Sequence, residues 1–71
     1  MDVSTRVELE TGDVWVVASY RMERGEVAVY QVRVPRSDIA TEDGGKRKIQ
    51  DATTIATTRL RRMLDAYHSG H

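Results

Sequence analysis

The chain has 71 residues, and its 11 Lys and Arg side chains balance 11 Asp and Glu side chains. It has no cysteine, which excludes disulfides and thiolate metal sites and gives no sign of an oxidising compartment. The apolar residues are too interspersed for a transmembrane span, and the first residues lack the apolar run of a signal peptide. We therefore expect one small cytoplasmic domain over 1–71, whose limited core favours self-association.

The single proline, Pro35, separates a β-type half from a loop and a helical segment. Before it, three runs at about 3–10, 14–22 and 26–34 are rich in Val, Tyr and Trp, which suit a pleated surface. The first run alternates apolar and polar residues, as in a strand with one buried face. These runs predict three consecutive antiparallel strands.

The two hairpin turns are predicted by requiring that the apolar side chains share one face. A two-residue turn at Thr11-Gly12 places Leu9 opposite Val14, with Gly12 supplying a positive φ. For the second hairpin, a three-residue turn over 23–25 pairs Met22 with Glu26 and gives the more apolar face. The predicted core face of the sheet consists of Val7, Leu9, Val14, Val16, Ala18, Tyr20, Met22, Ala28, Tyr30, Val32 and Val34.

After Pro35, residues 35–47 are predicted to form a polar loop, broken at 42–45, in which Ser37 and Asp38 favour at most one short turn. From about 48 to 67, apolar residues recur at helical spacing. The predicted buried stripe is Ile49, Ala52, Ala56, Leu60, Met63, Leu64 and Tyr67. The expected fold is α+β, a three-stranded antiparallel meander followed by one C-terminal helix packed on one face of the sheet (βββα).

Enzymatic signals are weak, and we expect no catalytic, cofactor or metal site. His68 and His71 lie at the C-terminal end, where a solvated tail is the simpler interpretation. The segment Gly44-Gly45-Lys46 lacks the upstream glycine of a phosphate-binding loop and the Ser or Thr that follows its lysine. Glu8 and Glu10 form a carboxylate pair without a predicted cleft around it.

The face of the sheet opposite the helix is the first candidate binding surface. It combines the only tryptophan with three valines among arginines, and such apolar patches with polar rims mark interaction sites. Trp and Arg also concentrate binding energy at protein interfaces. The predicted partner-binding residues are Trp15, Val17, Arg21, Val27, Val29 and Arg33. The alternative is an ordinary strand surface in which valine is simply a good strand former.

The second candidate surface is the basic segment 46–62, which has six positive side chains and one negative, Asp51. Its candidates for binding phosphate or an acidic partner are Lys46, Arg47, Lys48, Arg59, Arg61 and Arg62. Arginines at such positions bind phosphates or carboxylates in a bidentate manner. A solvated helix face explains the same charges without a ligand.

The favoured function is a small non-enzymatic interaction or regulatory module, either self-associating through the outer sheet face or an edge strand, or binding a larger protein. The alternative is nucleic-acid binding. In arrangement, three strands followed by one helix resemble the integrase-type DNA-binding domains, which set a three-stranded sheet into the major groove. This implies that Arg6, Trp15, Arg21, Gln31 and Arg33 would contact DNA. Glu8, Glu10, Glu26 and the zero net charge oppose that alternative.

Overall fold

The computed structural model describes residues 1–69 and shows one three-stranded antiparallel sheet with a long C-terminal helix. The strands are β1 (Asp2–Val7), β2 (Val14–Arg21) and β3 (Val27–Val34), in the order β1-β2-β3. A short helix α1 (Arg36–Ile39) precedes α2 (Lys46–Ser69), which packs on β2 and β3. The predicted βββα α+β fold is confirmed. The predicted loop over 35–47 contains α1, and α2 is longer than expected at both ends.

The β2–β3 hairpin has the predicted register. The backbone N–H of Met22 donates to the carbonyl of Glu26 at 2.7 Å, and Gly25 has a φ of +87°. Val14 lies opposite Val34, and the pairing continues to Arg21 opposite Val27. A one-residue slip would have reversed the facing of every β3 side chain, so the apolar pattern was sufficient to choose the register.

The β1–β2 hairpin differs from the prediction. β1 ends at Val7, which lies opposite Val14, so the register is shifted by two residues and Leu9 stands outside the strand. The N–H of Glu8 donates to the carbonyl of Asp13 at 2.9 Å, so the loop spans 9–12 and is longer than two residues. A two-residue shift preserves the facing of every side chain, which is why the apolar pattern cannot detect it.

The core lies between α2 and the β2–β3 part of the sheet. Its buried side chains are Val14, Val16, Ala18, Val34, Ala52, Ala56, Leu60 and Leu64. Met22, Ala28, Tyr30, Val32, Ile39 and Ile49 are partly buried against it. Ala52 and Ala56 are small enough to let the helix approach the sheet closely.

Five predicted core residues are substantially exposed. Val7 and Leu9 belong to or follow β1, which α2 does not cover, and Leu9 is 95% exposed. Tyr20 lies near the hairpin end of β2 and is 40% exposed. Met63 and Tyr67 lie in the last turns of α2, where they are 48% and 51% exposed. The described part of the chain has no helix that is both long and apolar enough to cross a membrane.

Two consecutive glycines turn the chain from α1 into α2. Gly44 and Gly45 have φ values of +65° and +80°, a region that other residues rarely adopt. The carboxylate of Asp43 accepts hydrogen bonds from the N–H groups of Gly45 at 3.0 Å and Arg47 at 3.2 Å. These bonds satisfy donors at the beginning of α2 that have no partner within the helix. Gly44-Gly45-Lys46 is therefore a turn that starts a helix.

Candidate protein-binding face

The outer face of the sheet is the side opposite α2, and the strand register places all six predicted partner-binding residues on it. Arg6, Trp15 and Arg33 form one row across the three strands. The next row contains Ser4, Val17 and Gln31. Further along, Ser19 lies opposite Val29 and Arg21 lies opposite Val27. We call Trp15, Val17, Arg21, Val27, Val29 and Arg33 the outer patch.

Trp15 lies between two arginines. Its strand neighbours are Arg6 on β1 and Arg33 on β3, and its indole N–H donates to Glu8 Oε2 at 3.1 Å. That bond satisfies the single polar group of the indole. The hydrogen bond orients the ring and leaves the apolar part of the half-buried side chain on the outer face.

The apolar part of the outer patch runs diagonally across two strands. Trp15 and Val17 are neighbours on one face of β2, and Val29 and Val27 continue the line on β3. Val27 is 53% exposed and Val29 is 41% exposed. Arg33 lies beside the tryptophan end and Arg21 beside the opposite end. The result is an apolar strip with a guanidinium group near each end.

The charge of the outer face is mixed. Arg33 Nη1 lies 3.6 Å from Asp13 Oδ2, which neutralises part of its charge. Asp2 and Glu8 also lie on this side of the sheet, toward β1. Carboxylates beside the arginines reduce the attraction of this face for phosphates.

The six basic residues of the second candidate surface do not form one compact cluster. At 3.6 residues per turn, Lys46 and Lys48 point about 160° apart around α2, as do Arg59 and Arg61. Arg59 Nη1 donates to the Tyr30 hydroxyl at 2.9 Å, and its guanidinium carbon lies 5.9 Å from the centre of that ring. Arg59 therefore adds a polar contact between α2 and β3.

Two open clefts lie beside α2. One of about 400 Å³ lies between the β2–β3 turn and the end of the helix, and Glu23, Tyr67 and His68 contribute to its walls. The other, of about 260 Å³, runs along β3 and includes Arg33, Lys48 and Ile55. Among residues 1–69, there is no group of three or more His, Cys, Asp or Glu side chains that could hold a metal ion. His71, the other histidine of the C-terminal end, lies outside the described residues.

Sequence reasoning missed the role of Asp13, the one buried charged residue within 1–69. Its Oδ1 accepts a hydrogen bond from the N–H of Arg36, 23 residues away, at 2.8 Å. The local signal was only an Asp after Thr11-Gly12, a pattern typical of an ordinary turn.

Comparison with known proteins gave no match: no family model, curated protein or solved structure is significantly similar to this chain.

Proposed function

We propose that this chain is a non-enzymatic interaction module that binds a protein partner through the outer patch. The observation that carries the proposal is the diagonal apolar strip of Trp15, Val17, Val29 and Val27 on the face opposite α2. A sheet face that meets only water favours alternating polar residues. The strip instead presents a tryptophan and three valines, with arginines beside both ends, and Trp and Arg are residue types that concentrate binding energy at interfaces.

The charges around the strip indicate the chemistry of the partner surface. Arg21 is exposed at one end, and Arg33 is 57% exposed at the other. A complementary surface has an apolar centre with a carboxylate at each end, because Arg pairs with carboxylates in a bidentate manner. The partner is therefore a protein surface with an apolar, acid-ended strip.

Site-specific photo-crosslinking in the native host tests this proposal. A photoreactive side chain replaces Gln31, which lies opposite Val17 on the outer face, or Asp65, which is exposed on α2. We expect a protein adduct from position 31 and none of the same mass from position 65. Adducts from position 65 alone would show that the helix is the binding surface.

Binding must then be measured with the purified partner. We expect Trp15→Arg and Val29→Glu to raise its dissociation constant at least about tenfold, the scale of a truncated interface anchor. Arg61→Asp on α2 is the matched control and leaves affinity unchanged. Equal affinities for all variants would refute the proposal.

Nucleic-acid binding is tested by titrating DNA and RNA at two salt concentrations. Counterion release makes phosphate binding fall steeply as salt rises. Salt-sensitive binding that Arg61→Ala/Arg62→Ala removes would assign the contact to α2 and contradict the proposed role of the outer patch. We expect no such binding.

A further inference from the structure

Strand β1 is an open edge of the sheet, and all six of its residues are exposed. The N–H of Glu8, just after β1, donates to the carbonyl of Asp13, just before β2. Because backbone groups alternate in direction along an antiparallel strand, those of the even-numbered residues point toward β2. The N–H and C=O groups of Val3, Thr5 and Val7 therefore point away from the sheet.

This edge lacks several of the usual barriers to strand pairing, and its charged side chains are Asp2 and Arg6. Residues 2–7 contain neither proline nor lysine, and their pairing with β2 is continuous from Asp2 to Val7. Natural edge strands commonly carry Lys, Pro or a bulge to prevent pairing with another chain. β3 forms the other edge of the sheet, and α2 packs on one face of that strand, where Arg59 bonds to Tyr30.

The helix-facing side of β1 is also uncovered, because α2 packs on β2 and β3. Val3 is 44% exposed and Val7 is 57% exposed on this side. A strand added beside β1 would shelter these valines and satisfy the outward-pointing backbone groups at the same time.

We propose that β1 pairs with β1 of a second copy of this chain, antiparallel and about a two-fold axis at Ser4. In this register Asp2 lies opposite Arg6 of the second copy, and Arg6 lies opposite Asp2 of the second copy. Val3 lies opposite Thr5 of the second copy on the helix side. Two ion pairs on the outer side and two apolar contacts on the helix side follow from the same symmetric alignment.

Hydrogen bonding and charge both select this register. A one-residue shift would place outward-pointing backbone groups opposite inward-pointing ones, which leaves the donors unpaired. A two-residue shift toward the end of β1 brings Asp2 opposite Glu8 of the second copy, and like charges directly opposite are destabilising. Pairing β1 with β3 of another copy would build an open chain of molecules, whereas the β1–β1 contact closes as a dimer.

The dimer is a continuous six-stranded sheet with both α2 helices on one side and both outer patches on the other. This inference does not depend on the proposed partner binding, because β1 carries none of the outer-patch residues. It adds a consequence for that function: two copies of the outer patch face the same way, so a bivalent partner gains avidity.

Amide hydrogen exchange at increasing protein concentration tests the pairing directly. In the monomer, the amides of Ser4 and Arg6 bond to β2, while those of Val3 and Thr5 face solvent. We expect exchange at Val3 and Thr5 to slow as concentration rises, in step with a doubling of mass by light scattering. A monomeric mass at millimolar concentration, or unchanged exchange at these two amides, would overturn the proposal.

Reversing the charges at positions 2 and 6 tests the register. Asp2→Arg and Arg6→Asp each place like charges opposite, so we expect each to raise the dimer dissociation constant about tenfold or more. The double variant Asp2→Arg/Arg6→Asp restores both ion pairs and regains wild-type association. An equimolar mixture of the two single variants forms heterodimers for the same reason.

Glu23→Arg and Arg24→Asp, in the β2–β3 turn, are the matched controls and leave association unchanged. If the double variant stays monomeric, the Asp2–Arg6 register is wrong. Trp15→Arg separates this inference from the proposed function, because it weakens partner binding without changing exchange at Val3 and Thr5. Dimerisation lost in Trp15→Arg but retained in Asp2→Arg would place the contact on the outer patch instead.

Discussion

Asp13 Oδ1 accepts a hydrogen bond of 2.8 Å from the backbone N–H of Arg36, which joins the turn before β2 to the first residue of α1. The position that ordinarily caps α1 is Pro35, which makes no side-chain hydrogen bond to the helix. Asp13 supplies that acceptor from 23 residues away and holds the chain where it leaves the sheet. A single buried carboxylate therefore couples the two ends of the β2–β3 hairpin.

Replacing Asp13 with Ala is expected to destabilise the fold by about 1–2 kcal/mol, the usual cost of losing the acceptor that caps a helix N-terminus. Urea denaturation followed by Trp15 fluorescence measures this loss. Arg33→Gln removes only the 3.6 Å ion pair and is expected to cost less than about 1 kcal/mol, because Arg33 is mostly exposed. Similar losses in the two variants would show that the bond to Arg36 contributes little.

Gly45→Ala is expected to destabilise the protein more than Gly44→Ala. Both glycines have positive φ, but a Cβ at Gly45 would lie 2.6 Å from Ile39 Cδ1 and 2.8 Å from Ile39 Cα. A Cβ at Gly44 meets no atom of the described residues within 4 Å. We expect a loss of about 1–2 kcal/mol at Gly44 and about 3 kcal/mol at Gly45. Thermal denaturation of the two variants measures the difference, and equal losses would contradict the clash with Ile39.

Leu60 and Met63 test which part of the helix forms the core. Leu60 is fully buried between α2 and the sheet, whereas Met63 is 48% exposed. Leu60→Ala is expected to cost about 2–5 kcal/mol, because it leaves a cavity. Met63→Ala is expected to cost less than about 1 kcal/mol. Chemical denaturation distinguishes the two, and a large loss at Met63 would mean that another surface buries it.

The pKa of the Asp43 carboxyl lies below its ordinary value of 3.8, because the Thr41 hydroxyl and the N–H groups of Arg47 and Gly45 donate to it. A lowered folded-state pKa gives stability that is present above pH 3.8 and lost as the pH falls through the lowered pKa. Carbon-13 NMR titration of the carboxyl is expected to show this pKa rising toward 3.8 in Thr41→Val. Glu42→Gln is the control, and an unchanged pKa in Thr41→Val would exclude the hydroxyl as its main cause.

The sequence alone was sufficient to predict the β2–β3 hairpin and the face of the sheet on which each of its side chains lies. Two constraints act there at once: a one-residue slip exposes the apolar row, and Gly25 supplies the positive φ of a three-residue turn. The same facing put Trp15 and Val29 on one surface. Helical spacing likewise identified the buried stripe through Ala52, Ala56 and Leu60, since a long periodic segment is a strong signal.

Tertiary structure alone decided which strands the helix covers and where β1 ends. α2 lies over β2 and β3 because its buried stripe packs on them, and the bonds from Arg36 to Asp13 and from Arg59 to Tyr30 add to that contact. These are contacts between distant residues, which neither periodicity nor local turn propensity encodes. The short length and limited core suggested a partner, but the open edge at β1 follows from the strand order, and its uncovered valines follow from the position of α2 over the other two strands.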